Sequence, residues 1–221
     1  MLLNLETAGK NQGTGTVATI PPDSVVWVSL SLKHPRNATE QGIDPLLFAT
    51  SSGLQQIRVK LTVAGGSFAG KEIYHNFTID GATTPGQKKA VEISLAQLRA
   101  ILEDVRDIKP DDDSPEACAK RRVEIKDLEG MKFPIRVGCE RSNQTQKKDP
   151  GLYYVNNTLK SIITVSDPEW TAVHAAPYEL ITKNEMPEFR AASAAAPSWE
   201  QPAANTAAPS WGSNNPDNVP F

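Results

Sequence analysis

Through much of the chain, hydrophobic and polar residues alternate with a period of two, the pattern of strands buried on one face. In Val25 to Lys33, Val26, Val28, Leu30 and Leu32 fall on one side, and Trp27, Ser29, Ser31 and Lys33 on the other. In Gln56 to Ala64 the apolar set is Ile57, Val59, Leu61 and Val63, opposite Arg58, Lys60 and Thr62. The Gly-rich link Gly65-Gly66-Ser67-Phe68-Ala69-Gly70 leads into Lys71 to Asp80, where Ile73, Phe77 and Ile79 alternate with Tyr74, Asn76 and Thr78. Two such strands joined by a short Gly-rich link are expected to form a hairpin.

The period then changes. Leu95, Leu98, Ile101, Leu102 and Val105 recur at helical spacing behind the capping-box pattern Ser94-Leu95-Ala96-Gln97, which predicts one amphipathic helix over 95–107. Lys109 to Glu116, acidic and holding two prolines, reads as a loop. Alternation returns in Lys132 to Arg141, where Phe133, Ile135, Val137 and Cys139 oppose Lys132, Arg136 and Glu140. A last strand runs from Leu152 to Val165; Tyr153 is in phase with Val155 and Leu159, so Tyr153 is expected inside and Tyr154 outside. The predicted order is three strands, a helix, then two strands.

A chain of 221 residues, 39% hydrophobic and 22% charged, supports one globular core and a tail better than several domains. The sharpest break in composition follows Arg190, the last basic residue. Residues 191–221 contain no Leu, Ile, Lys or Arg and repeat Ala-Ala-Pro-Ser-Trp at 195–199 and 207–211. Such a segment cannot bury enough apolar surface to offset its ordering entropy, and it is expected to be disordered. The division is therefore an N-terminal extension over 1–24, a domain over 25–190 and a tail over 191–221. The opening MLLNLETAGK has no basic start or apolar run of the secretory kind, and nowhere do about 18 consecutive apolar residues occur. An intracellular protein with no membrane contact is expected.

Charge and motifs narrow the chemistry. Cys118 and Cys139 form no CxxC pair and have no histidine cluster nearby, so no metal or cofactor is expected. The phosphate-loop, zinc-protease and nucleophile-elbow patterns are absent and His34, His75 and His174 are scattered, so catalysis is not expected. A net charge of −3 argues against a polyanion partner at first sight, yet nine Lys or Arg stand against four acids from Lys120 to Lys148. Fields are local at physiological salt, over about 8 Å, so a basic stripe on a near-neutral domain still attracts a polyanion. The polar phases of the strands carry cations and flat rings, which a non-specific single-strand binder uses for phosphates and bases. The candidates are Trp27, Lys33, Arg58, Lys60, Tyr74, Lys132, Arg136 and Tyr154, with Phe68 at the tip of the Gly-rich turn and the loop Arg141 to Lys148 as a further phosphate contact. The plain alternative is that strand faces in solvent carry Lys and Arg in any case, and that Phe68 caps the end of the core.

Three strands, a helix and two strands is the element order of the OB-fold, a five-stranded Greek-key barrel with its helix between strands three and four. The final Pro220-Phe221, behind Asn-Pro-Asp-Asn-Val, resembles the C-terminal tip of bacterial and phage single-stranded DNA-binding proteins. The stretches GKEIYHNFTIDG, LEGMKFPIRVGCE and GLYYVNNTLKSIITV look like phage-encoded OB-fold binders of that family. The resemblance implies a mainly β OB barrel that holds single-stranded DNA without sequence preference in phage replication, recombination and repair, in the cytoplasm of an infected bacterial cell. It also implies a tip, Asp217, Pro220 and Phe221, that recruits replication and recombination proteins, Phe221 entering an apolar pocket while its carboxylate meets a basic side chain. The family's tips carry several consecutive aspartates, whereas this one has only Asp217. Two other readings stay open: a structural or assembly protein of a virion with a sticky tail, and an accessory subunit that uses the barrel for protein contacts.

Overall fold

The computed structural model describes residues 19–146, 149, 151–179 and 181. Their elements, in chain order, are β1 (Val25–Leu32), β2 (Phe48–Ala49), β3 (Gln55–Val63), β4 (Glu72–Asp80), α1 (Pro85–Val105), α2 (Pro115–Lys120), β5 (Lys132–Thr145), β6 (Tyr153–Ile162) and α3 (Trp170–Ala175). The tail residues Asp217, Pro220 and Phe221 lie outside the described residues, as do both Ala-Ala-Pro-Ser-Trp repeats.

The alternation translates directly into packing. Val26, Val28 and Leu30 of β1, Ile57, Val59, Leu61 and Val63 of β3, Ile73 and Phe77 of β4, and Phe133, Ile135 and Val137 of β5 all enter one hydrophobic core. Each fully buried side chain of this size contributes about 1.5–3 kcal/mol relative to exposure, so the phase of each strand is strongly specified. Ile20, ahead of β1, belongs to the same core. It is held there by Asn157 of β6, whose side chain accepts from Ile20 N at 2.9 Å and donates to Ile20 O at 2.7 Å.

Every ladder is antiparallel. The sheet runs β4-β3-β1-β5-β6, with the two-residue β2 also on β3. The predicted β3–β4 hairpin is present, in the register Lys60 with Tyr74 and Arg58 with Asn76. The expected closed barrel is corrected, because no ladder joins β4 to β6 and the sheet stays open there. The two strands approach each other without pairing, and α1 packs against β4, β5 and β6 across the gap. The mainly β, antiparallel architecture is as expected.

The helix starts earlier than its apolar spacing suggests. Thr84 is the N-cap, its hydroxyl accepting from Gln87 N while the Gln87 side chain accepts from Thr84 N, and Pro85 follows at the first helical position. Ser94, the expected cap, sits inside the helix, buried, where its hydroxyl accepts the Thr78 backbone N–H at 2.9 Å and ties α1 to β4. Of the expected apolar face, Ile101 and Leu102 are buried and Leu98 packs on the core, but Leu95 and Val105 are exposed.

Two loop expectations also change. Lys109 to Glu116 leads directly into α2, whose N-cap is Ser114 and whose first helical residue is Pro115. The acidic run is ordered by Arg121, which donates to the backbone oxygens of Lys109 and Asp112 and pairs with buried Glu103 at 2.8 Å. The stretch Arg141 to Thr145 is the end of β5, not a loop, and pairs with β6 through a register shift. The guanidinium of Arg141 lies over the Tyr153 ring, 4.6 Å from its centroid.

Candidate nucleic-acid interface

A one-residue alternation puts every second residue of β1, β3, β4 and β5 on the side of the sheet away from the core, and the ladder registers line these residues up in rows. One row holds Lys132 of β5, Ser29 of β1, Thr62 of β3 and Glu72 of β4. The next holds Ser31, Lys60 and Tyr74. A third begins where Lys33 N donates to Arg58 O just past the end of β1 and continues to Asn76. Rows two residues apart along a strand are separated by about 7 Å, so the three rows make a continuous surface of cations, hydroxyls and one large ring.

Tyr74 is that ring. It is 59% exposed, and its hydroxyl donates to Glu72 Oε2 at 2.6 Å. Glu72 accepts from Lys60 Nζ at 2.8 Å through its other oxygen. The hydrogen bond and charge of Glu72 raise the Lys60 pKa, and Lys60 and then Tyr74 lower that of Glu72. The same hydrogen bond raises the Tyr74 phenol. Lys33 Nζ stands 5.2 Å from the Tyr74 ring centroid. The surface is therefore cationic around Glu72, whose carboxylate holds the ring and the Lys60 ammonium in place, and a second carboxylate, Glu129, stands at its edge, accepting from Leu32 N at 2.6 Å.

Arg58 is held from below. Its guanidinium lies 4.3 Å from the centroid of Phe48, which is buried on β2, and its Nε is buried without a hydrogen-bond partner among the described residues. A guanidinium seated over an aromatic ring still carries N–H donors and charge that a phosphate or base can meet. The sequence pattern gives no hint of Phe48, because a two-residue strand has no periodicity; the only signal is the apolar triplet Leu46-Leu47-Phe48 in an otherwise polar stretch. Among the described residues, Lys33, Arg58 and Lys132 have no carboxylate within ion-pair distance, and the exposed Lys132 extends the surface onto β5.

Four candidates are not part of this surface as expected. Trp27 is on the outer side of β1, but the segment 167–181 covers it. Its indole N–H donates to Val173 O at 3.1 Å, His174 meets it edge-on at 5.2 Å between centroids, and Tyr178 lies 6.2 Å away. Arg136, the outward neighbour of Val25, is 14% exposed at its side chain and is neutralised by Glu169 at 3.0 Å and Asp167 at 3.7 Å. Phe68 packs, partly buried, against the core beside its 3-10 turn. Tyr154, partly exposed, stands on β6, separated from Tyr74 by β3, β1 and β5 along the sheet.

The covering segment is a small core of its own. Val25, Ile163 and Val173 are buried with Trp27, Trp170 and Ile181 around them, and Ile181 forms a β-bridge with Val25. Gly65 makes room for it: a Cβ there would lie 2.4 Å from the Tyr178 Cβ. The Gly-rich link thus serves close approach at this position, in addition to turning the chain. Within the basic run from Lys120 to Lys148, Arg121 and Arg136 are both spent on internal carboxylates, and Lys147 and Lys148 lie outside the described residues.

At the other end of this segment, His174 Nε2 is 3.1 Å from Asp104 of α1, Trp170 Nε1 donates to Asp104 at 3.2 Å, and His174 Nδ1 is 2.9 Å from Trp170 O. Burial raises the Asp104 carboxyl, against the hydrogen bond from Trp170 and the charge of His174. Burial lowers His75, whose ring packs edge-on against Phe77. Among the described residues no group of three His, Cys, Asp or Glu is placed to hold a metal ion, and no helix is long and apolar enough to cross a membrane.

No protein-family model matches the sequence, and no curated protein matches it. Among solved structures, yeast RPA bound to ssDNA is similar over 75% of this chain and 88% of that one, at 9% identity and a TM-score of 0.26. A likeness of that size defines no common fold, so the functional reading below stands on the surface geometry alone.

Proposed function

We propose that the chain binds single-stranded DNA with little sequence preference across the outer surface of β4, β3 and β1. Tyr74 stacks a base, Arg58 offers its open face to a second, and Lys33, Lys60 and Lys132 meet phosphates. The observation that carries this reading is the register: it brings Tyr74, Lys60, Arg58 and Lys33 into adjoining rows on one open surface, with most of the cations lacking an internal partner. Contacts of this kind read no base edges, and every base has a face to stack, which is why little sequence preference is expected. The ladder order β4-β3-β1-β5-β6, with the long helix between β4 and β5, supports an OB-type Greek key that lacks only the β4–β6 ladder. In such folds the surface of the second and third strands takes oligonucleotides, and β3 and β4 hold those positions here.

The wider setting extends this proposal: a phage-type binder acting in replication and recombination inside a bacterial cell, whose tip at Asp217, Pro220 and Phe221 recruits partner enzymes. An apolar terminal ring with a carboxylate beside it suits a pocket with a basic rim on such a partner. The test of the binding function is a titration of labelled oligo-dT over a range of salt concentrations. Binding that weakens with a log–log slope of about −2 to −3, with duplex DNA bound far less well, is the expected result. No binding at low salt overturns the reading and favours an assembly protein. Deleting Phe221 is expected to abolish capture of replication proteins and to leave oligo-dT affinity unchanged.

A further inference from the structure

The C-terminal end of α1, the turn behind it and residues 164–170 enclose a cavity of about 190 Å³ on the flank of the molecule. Its wall is largely apolar, with Ala100, Ile108, Pro110 and the 52%-exposed Val165, and Trp170 closes one side. Asp104 and Asp107 supply acceptors. Asp104 already holds the indole N–H of Trp170, while Asp107 is exposed at the end of the helix with a φ of 51°.

We propose that this cavity is the docking site for an Ala-Ala-Pro-Ser-Trp repeat of the chain's own C-terminal segment, the indole of Trp199 or Trp211 entering it with its N–H on Asp107. An indole fills a cavity of this size, and its one polar atom is a donor, which suits an apolar wall ringed by carboxylates. Of the carboxylates lining the same space, Glu103 is paired with Arg99 and Arg121, and Asp104 with His174 and the Trp170 indole, which leaves Asp107 as the acceptor offered to an incoming donor.

The tether favours the chain's own repeat. Ile181, the last described residue, packs against the same small cluster as Trp170, which closes one side of the cavity. Trp199 follows Ile181 by 18 residues, a reach of up to about 60 Å at 3.3–3.6 Å per residue. A short tether of this kind gives an effective concentration in the mM range, so a contact too weak to hold a free peptide suffices within one chain. The proline two residues before each tryptophan fixes its own φ and lowers the ordering cost of docking. This inference is independent of the nucleic-acid reading.

The test uses the full chain and its backbone and indole N–H resonances. Wild type is expected to show one tail indole N–H shifted, and the W199A/W211A double variant is expected to move the amides of Ala100, Asp107 and Val165. Both changes lie outside the described fold. A peptide Ala-Ala-Pro-Ser-Trp-Glu-Gln added to that variant at mM concentration restores the wild-type positions. F221A leaves them where they are. Unchanged amides in the double variant overturn the proposal, as does displacement by F221A instead. Shifts that grow with protein concentration, together with a dimer in sedimentation that the double variant lacks, overturn the intramolecular form by assigning the repeat to a second copy.

Discussion

Glu72 is a carboxylate among the cations of this surface, and replacing it with Gln separates its two roles. It bridges Lys60 Nζ at 2.8 Å and the Tyr74 hydroxyl at 2.6 Å. With Glu72 present, three cations of the surface, Lys33, Arg58 and Lys132, are without a carboxylate partner among the described residues, and a phosphate at Lys60 must displace an ion pair. Each phosphate contact on a single strand contributes about −0.7 to the slope of log K against log salt, so three contacts give about −2.1 and a fourth at Lys60 about −2.8. The added contact corresponds to roughly fivefold tighter binding at about 0.1 M salt, shrinking to less than twofold at about 0.5 M. Fluorescence anisotropy of labelled oligo-dT with wild type and E72Q across that range measures both quantities. The Tyr74 phenol provides an internal check, because the hydrogen bond it donates to Glu72 is the largest cause of its raised pKa, and E72Q is expected to bring it down. Parallel lines for the two proteins, or weaker binding by E72Q at every salt concentration, would refute the reasoning: Lys60 would then not be a phosphate contact limited by Glu72.

Y74A is expected to weaken oligo-dT binding by about 1–3 kcal/mol, the range for loss of one stacked base; Y154A, on β6 and outside the rows that hold Tyr74, is expected to leave it unchanged. W27A removes a half-buried ring with a hydrogen bond to Val173 O, so the midpoint of denaturant unfolding falls while oligo-dT affinity holds; a selective loss of affinity would mean that the segment 167–181 leaves Trp27 when DNA binds. Burial raises the Asp104 carboxyl above its value of 3.8 in the unfolded chain, so its contribution is fully present below that pH and is lost as pH rises through the folded value. The stability difference between D104N and wild type is therefore expected to shift in favour of D104N as pH rises from about 4, where the unfolded carboxyl titrates; a difference independent of pH would show that burial does not set the titration of Asp104.

The sheet was legible because it is half-buried: in β1, β3, β4 and β5 the core takes every second residue, and hydrophobic alternation records that fact alone. The elements that escaped notice lack a period. The two residues of β2 are too few to alternate, and the Phe48 that supports Arg58 went unnoticed with them. The start of α1 lies ten residues before the one its apolar spacing predicts, because two capping boxes compete in the sequence and the hydroxyl of Ser94 serves β4 instead of a helix end. Gly86 and the exposed Lys88 and Lys89 conceal the true first turn, since no apolar residue marks which way it faces.

Trp27 and Tyr74 make the deeper point about the candidate site. Alternation places both on the outer phase of neighbouring parts of one sheet, and on that criterion they are equivalent. What separates them is a contact between residues far apart in sequence: Val173 O reaches the Trp27 indole across 146 positions, and Tyr178 closes over it where Gly65 leaves room. Alternation is a local property and reports only that a side chain leaves the core of its own sheet. Whether it then meets solvent depends on a second layer whose own pattern is short, here the six residues of α3 with Val173 buried and Trp170 beside it. Arg136 follows the same rule, since Asp167 and Glu169 arrive with that layer and take the place a phosphate would occupy. An outward ring or cation is therefore a binding candidate only in the part of the sheet that the second layer leaves open, and in this chain that part is β4, β3, the C-terminal half of β1 and the start of β5 at Lys132.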